Sequence, residues 1–191
     1  MCFILRYINI MIATIRRSSF FLLLTASFLA TTFHDAQSGT TIKDVLISVR
    51  TLIFLSNPPE GLSDFAVIYD PYIPESVKDK DAVYDAIDGG TPIGQTIIKT
   101  APIPVSEIER IIGYKYLLIT TGMDRFIPQI QKMVQGKGIV TISTDLRFVT
   151  SGQCVLGVTS EPNIRVLLNR AAAKDAAVAF STSFRMMIQE M

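Results

Sequence analysis

Between residues 41 and 55 apolar side chains recur every three or four positions, at Ile42, Val45, Leu46, Val49, Leu52 and Ile53. That is the spacing of one face of an α-helix. The stretch Asn57-Pro58-Pro59-Glu60-Gly61 ends it. A different pattern follows. Phe65-Ala66-Val67-Ile68-Tyr69 is apolar without a break, as in a parallel strand buried on both faces, and Asp70-Pro71 stops the run. Ser76 with Asp79 three residues later has the form of a capping box and predicts a second helix. Its inward face would be Val83, Tyr84 and Ile87, and Asp88-Gly89-Gly90 would end it.

The alternation continues. Thr96-Ile97-Ile98 predicts a strand, Ser106 with Glu109 caps a short helix ending near Gly113, and Tyr116-Leu117-Leu118-Ile119 predicts another buried strand. Asp124 is expected to cap a helix carrying Phe126, Ile127, Ile130, Met133 and Val134, with Pro128 tolerated in the first turn. Gly136 and Gly138 close that helix, and Ile139-Val140-Thr141-Ile142 predicts the next strand. After Thr144 the pattern changes. Gln153 to Thr159 and Ile164 to Leu168, joined by Ser160-Glu161-Pro162-Asn163, predict an antiparallel hairpin at one edge. A closing helix is expected from the N-cap Asn169 to Gln189, with Ala176, Phe180, Phe184 and Met187 as its apolar stripe. The fold class is therefore α/β: a single-domain, mostly parallel sheet with helices on both faces, a C-terminal antiparallel hairpin and a closing helix.

Residues 1–38 follow none of these periods. Ser18 to Phe33 form one apolar run directly after Arg16-Arg17, and small residues follow, the layout of a secretory signal. Cleavage after Ala30, Ala36 or Ser38 would suit it, the last with Ala36 and Ser38 at the two specificity positions, and Met11 is an alternative start. An uncleaved membrane anchor is the competing reading, but the run falls short of the roughly 20 apolar residues that span a bilayer comfortably. The organisation expected is a signal peptide over 1–38 and one domain over 39–191, delivered to the periplasm.

Composition narrows the chemistry. The chain has 191 residues, 49% of them hydrophobic, enough for one domain with a real core, and a net charge of +1 that offers no field for nucleic acid. Removing 1–38 takes away Arg6, Arg16, Arg17 and Asp35, which brings the net charge to −1 from 18 cations and 17 anions. It also removes Cys2 and His34, the single histidine. Without histidine the domain has no Ser-His-Asp or Cys-His mechanism of the usual kind and no His-containing zinc site. Cys154 alone closes no internal disulfide. No catalytic, cofactor-binding or metal residue is assigned, and the chain is read as a non-enzyme.

The remaining features favour plain structural roles. Cys154 reads as a small buried hydrophobe. Gly89-Gly90-Thr91-Pro92-Ile93-Gly94 lacks the Gly-Lys-Ser/Thr ending of a phosphate loop and follows a helix, so it reads as a turn. Asp79, Asp81, Asp85 and Asp88 with Lys78 and Lys80 read as a solvated helix face. Phe126 and the pair Met186-Met187 are expected in the core or an interface. Asp70-Pro71-Tyr72 and Thr121-Gly122 follow predicted strands, where open α/β sheets place their ligand crevice.

The stretch from Gly138 to Val158, GIVTISTDLRFVTSGQCVLGV, resembles part of the YfiR family of periplasmic proteins, in which a strand is followed by a loop, a glycine-containing turn and a hydrophobic strand. Ile164 to Ala173 and Ser181 to Ile188 are similar to that family's closing strand, Asn-x-x-Ala-Ala helix start and final helix. The upstream order agrees: a first helix, a proline-rich break, then a strand beginning Phe-Ala-Val. The resemblance covers about residues 41 to 190. It implies an exported regulator that binds the periplasmic sensor domain of a membrane-bound diguanylate cyclase and restrains cyclic-di-GMP synthesis, and it implies dimer formation. The sequence departs from the family in two respects. It has one mature cysteine where some members carry redox-controlling pairs, and Asn57-Pro58-Pro59 stands where members often have Trp-Pro. The alternative function is a periplasmic small-molecule binding protein related to transport-system solute receptors.

Overall fold

The computed structural model describes residues 39–87 and 89–191; the signal-peptide expectation and Asp88 lie outside them. Helix α1 (Ile42–Thr51) is opened by Thr41, whose hydroxyl accepts from the Asp44 N–H while the Asp44 carboxylate reaches back to Thr41. A 3-10 turn (Leu52–Phe54) extends it. In order there follow β1 (Gly61–Tyr69), α2 (Pro74–Ile87), β2 (Thr91–Ile93), β3 (Thr96–Pro104), a 3-10 segment (Val105–Gly113) and β4 (Tyr116–Ile119). After a 3-10 turn (Asp124–Phe126) come α3 (Ile127–Val134), β5 (Val140–Ser143), α4 (Leu146–Thr150), β6 (Leu156–Thr159) and β7 (Arg165–Leu168). Helices α5 (Arg170–Asp175) and α6 (Thr182–Met187) and the short β8 (Gln189–Glu190) complete it.

The eight strands form one sheet in the order β2-β3-β1-β4-β5-β6-β7-β8. Strands β3, β1, β4, β5 and β6 are mutually parallel, β2 is antiparallel at one edge, and β7 runs antiparallel to β6 towards the other. This is the α/β fold that the periodicity predicts. Alternation within the buried runs divides the core in two. Phe65, Val67, Tyr116 and Leu118 point to the side covered by α1, α2, α5 and α6. Ala66, Ile68, Leu117 and Ile119 point to the side covered by the 3-10 segment, α3 and α4. Pro102 and Pro104 are tolerated in β3 because β2 pairs only with Thr96 to Ile98, leaving the rest of β3 as an edge.

Several expectations need correction. Helix α2 begins at Pro74, so Ser76 and Asp79 lie inside it on a buried face, not at its cap or on a solvated face. Tyr84 points outward at 54% exposure, while Val83 and Ile87 are buried as expected. Asp124, Ser106 and Glu109 cap nothing, because 3-10 geometry without side-chain caps stands at both places. The predicted strand from Gln153 begins only at Leu156, and α4, absent from the sequence expectation, precedes it. Helix α4 packs so tightly on β6 that a Cβ at Gly157 would fall 2.7 Å from Val149 Cγ2.

The closing helix is two helices. Asn169 does cap the first, accepting from Ala172 N at 2.9 Å. Ala177 then takes φ 58°, and Phe180 leaves the helical path to bridge Leu55. Phe54, Phe180 and Phe184 stack there, with ring centroids 4.8 and 5.2 Å apart. This aromatic packing outweighs the propensity of the alanine run to stay helical. Met186 and Met187 are exposed, so neither belongs to the core.

Candidate functional site

The parallel strands in chain order, β1, β3, β4, β5 and β6, lie in space as second, first, third, fourth, fifth. The chain moves outward one way after β1 and the other way from β4 onward, and β1 and β4 are adjacent. Such a reversal opens a crevice at the carboxyl ends of the two strands, the usual ligand position in open α/β sheets. The residues there are Asp70 to Tyr72 after β1 and Thr120 to Gly122 after β4; sequence singled out Asp70-Pro71-Tyr72 and Thr121-Gly122 among them.

The side chains at this edge bond to one another. Thr120 Oγ1 donates to the Ile68 carbonyl at 3.0 Å, so it accepts from Ser76 Oγ at 2.6 Å, and Ser76 Oγ accepts from Asp70 N at 2.8 Å. One helix turn on, Asp79 accepts from Thr40 N and Thr121 N, each at 2.8 Å. Spaced three apart on α2, Ser76 and Asp79 share the face that meets the strand ends. The Asp70 carboxylate turns the chain by accepting from Tyr72 N at 3.0 Å, and it pairs with Arg125, whose guanidinium lies over the Phe126 ring. Gly122 has φ +79° and sits against Ile73, 3.0 Å from where its Cβ would be, so the turn requires glycine.

The edge is closed from above by the segment that leads into α1. Thr40 Oγ1 meets Thr144 Oγ1 at 2.7 Å beyond the end of β5, and Asp44 accepts from Ser160 N at 2.6 Å beyond β6. With the Asp79 link to Thr121, residues 40–44 thus cross the carboxyl ends of β4, β5 and β6. Asp145, buried after β5, holds Arg147 through both carboxylate oxygens, and that hydrogen bond followed by the charge raises the arginine pKa. Sequence reasoning missed Thr40, Ser76, Asp79, Thr120 and Thr144 as one group. Its members lie far apart in the chain, and only the strand order brings them together.

Other candidates separate from this edge. Cys154 is fully buried, and desolvation pushes its thiol pKa well above the ordinary range, which makes it an inert core group. Gly89 and Gly90 form a turn with positive φ, but Thr91 to Ile93 of the same run are not turn: they form β2. Two cavities open at the opposite, amino end of the sheet. One of about 350 Å³ is lined by Pro58, Glu60, Asp64, Tyr114 and Lys115, the other of about 240 Å³ by Gln131, Lys132, Gln153 and Asp175. Among the described residues no group of three or more His, Cys, Asp or Glu side chains is placed to hold a metal ion, and no helix is long and apolar enough to cross a membrane.

No family model matches the chain, and no curated protein matches it. Among solved structures it is similar to the ABC domain in complex with L-Trp from Streptococcus pneumonia, with a TM-score of 0.54 and 9% sequence identity. The alignment covers 78% of this chain but 62% of that one, so this chain spans less than two thirds of the neighbour's length. At that identity the likeness is one of fold: a doubly wound α/β protein, an architecture that in the neighbour accompanies a bound ligand.

Proposed function

We propose that this chain is an exported regulatory binding protein that acts by contact, in the manner of the YfiR family its closing segment resembles. The observation that carries this reading is the closed carboxyl edge. Where a doubly wound sheet offers a ligand crevice, the polar groups of this chain are engaged with its own backbone and arginines. These groups hold this edge of the fold together, which favours a role through surface contact. The residues that carry the resemblance, 138–158, 164–173 and 181–188, span β5 to α6, and Asn169 caps α5. The partner by resemblance is the periplasmic sensor domain of a membrane-bound diguanylate cyclase. Cross-linking the processed protein in membranes and identifying what co-purifies tests this. Recovery of a diguanylate cyclase is expected; its absence from repeated cross-linked samples would remove the reading.

A second reading has its own support. The neighbour of similar fold was solved with L-Trp, and cavities of ligand size open at the amino edge. On this reading the chain is a small-molecule binding protein. A ligand bound to the folded state must raise its melting temperature. A thermal-shift screen of amino acids and related solutes without any stabilisation would exclude it.

A further inference from the structure

Asp79 differs from the other buried carboxylates. Asp70 and Asp145 each pair with an arginine, and Asp44 accepts from Thr41 N, Thr41 Oγ1 and Ser160 N. Asp79 is 0% exposed, is met by two peptide N–H groups, and has no ion pair among the described residues. A carboxylate buried without a counter-charge is costly, and each of its oxygens has room for a further donor. Gly39 lies beside one of those oxygens. A Cβ on Gly39 would stand 3.4 Å from Asp79 Oδ1, and the Gly39 nitrogen is bonded to the same Cα. The sequence separately offers the Ser38–Gly39 bond as a signal cleavage point, with Ala36 and Ser38 at the specificity positions.

We infer that processing after Ser38 makes Gly39 the mature N-terminus and that its α-ammonium is the counter-ion of Asp79. Hydrolysis of that bond by a signal peptidase consumes one water. It leaves a carboxylate on Ser38 and an amine on Gly39, which is protonated at neutral pH. In the precursor the same nitrogen is an uncharged amide. Export thereby completes the hydrogen-bonded edge and fixes the segment that closes it. The inference rests on the export part of the proposed function.

The pairing has a pH signature. The amine binds its proton more tightly when folded, so the stabilisation is present below its ordinary pKa of about 8 and is lost as pH rises through the raised folded value. The other charged groups near the spot are Lys78, whose Cδ lies 4.0 Å from the Gly39 Cβ position, and Asp44, which is bonded to Thr41.

The test has two parts. Intact mass and N-terminal sequencing of the exported protein are expected to give Gly39. A protein retained unprocessed in the cell would remove the export reading itself, whereas an exported protein beginning elsewhere would remove this inference alone. Thermal melts then compare the processed protein with its N-acetylated form, each with Asp79 and with Asp79→Asn. The free amine is expected to raise the melting temperature by about 2–4 °C at pH 6.5, the shift that about 1 kcal/mol produces in a domain of this size. That advantage should shrink above about pH 8 and vanish with Asp79→Asn. Equal melting temperatures, or an advantage that survives Asp79→Asn, would overturn it. If Asp79→Asn does not fold, the acetylation and pH comparison with Asp79 intact decides.

Discussion

The two ends of the sheet are built on opposite plans. At the carboxyl end, buried Ser76, Asp79, Thr120, Ser143 and Asp145 are joined to backbone or to one another, and residues 40–44 lie across them. At the amino end the strands open into cavities edged by prolines, glutamine and lysine. Among the described residues the one buried side-chain polar atom without a partner is Thr100 Oγ1, on β3. Strand order alone therefore does not leave the crevice of a doubly wound sheet open. Here the topological crevice serves as a structural seam, and the open surface lies elsewhere.

The largest expected effect comes from breaking that seam. Asp79→Ala strands the buried N–H of Thr40 and the half-buried N–H of Thr121, and should cost about 3 kcal/mol in urea denaturation. The same measurement on Lys115→Ala at the amino edge should change stability by no more than about 0.5 kcal/mol. Similar losses at the two ends would erase the contrast. Gly157→Ala should cost about 1–3 kcal/mol, because α4 must move off β6 to admit the methyl group. Ser76→Ala removes the acceptor for Asp70 N and should cost about 1–2 kcal/mol. Combined with Thr120→Ala it should cost less than the two single losses added together, because the variants share one bond.

The smallest effects lie at the chain end. Arg185 hydrogen-bonds Glu190 and holds its carboxyl pKa below the ordinary value. A lowered folded pKa means that the pair contributes above the ordinary carboxyl pKa and is lost as pH falls through the folded value. Glu190→Gln should therefore lower the melting temperature slightly at neutral pH, and the gap should close in acid. Cys154 should resist alkylation in the native protein and react at once in denaturant; rapid native labelling would contradict its burial.

Much of the sheet was legible because burial on both faces leaves unbroken apolar runs, and Tyr116 to Ile119 form β4 with those same bounds. Asn169 was legible because a cap is a local device. The seam was not, since a serine and an aspartate three apart suit a helix cap and a buried helix face equally well. Only Pro74, whose fixed φ suits a helix's first turn, hinted that the helix begins earlier. The break at Ala177 was hidden as well: it comes from the Phe54–Phe184 stack and the Leu55–Phe180 bridge, which join segments far apart in the chain. Asp70 and Thr121 were placed at the strand ends by sequence, but their partners Arg125 and Asp79 required the topology.

Regulation by contact with a diguanylate cyclase is decided by cellular cyclic-di-GMP, measured in a strain lacking this protein and in the same strain complemented with the full chain. A raised level in the deletion strain and a return to the parental level on complementation are expected. An unchanged level in the deletion strain would contradict the regulatory reading.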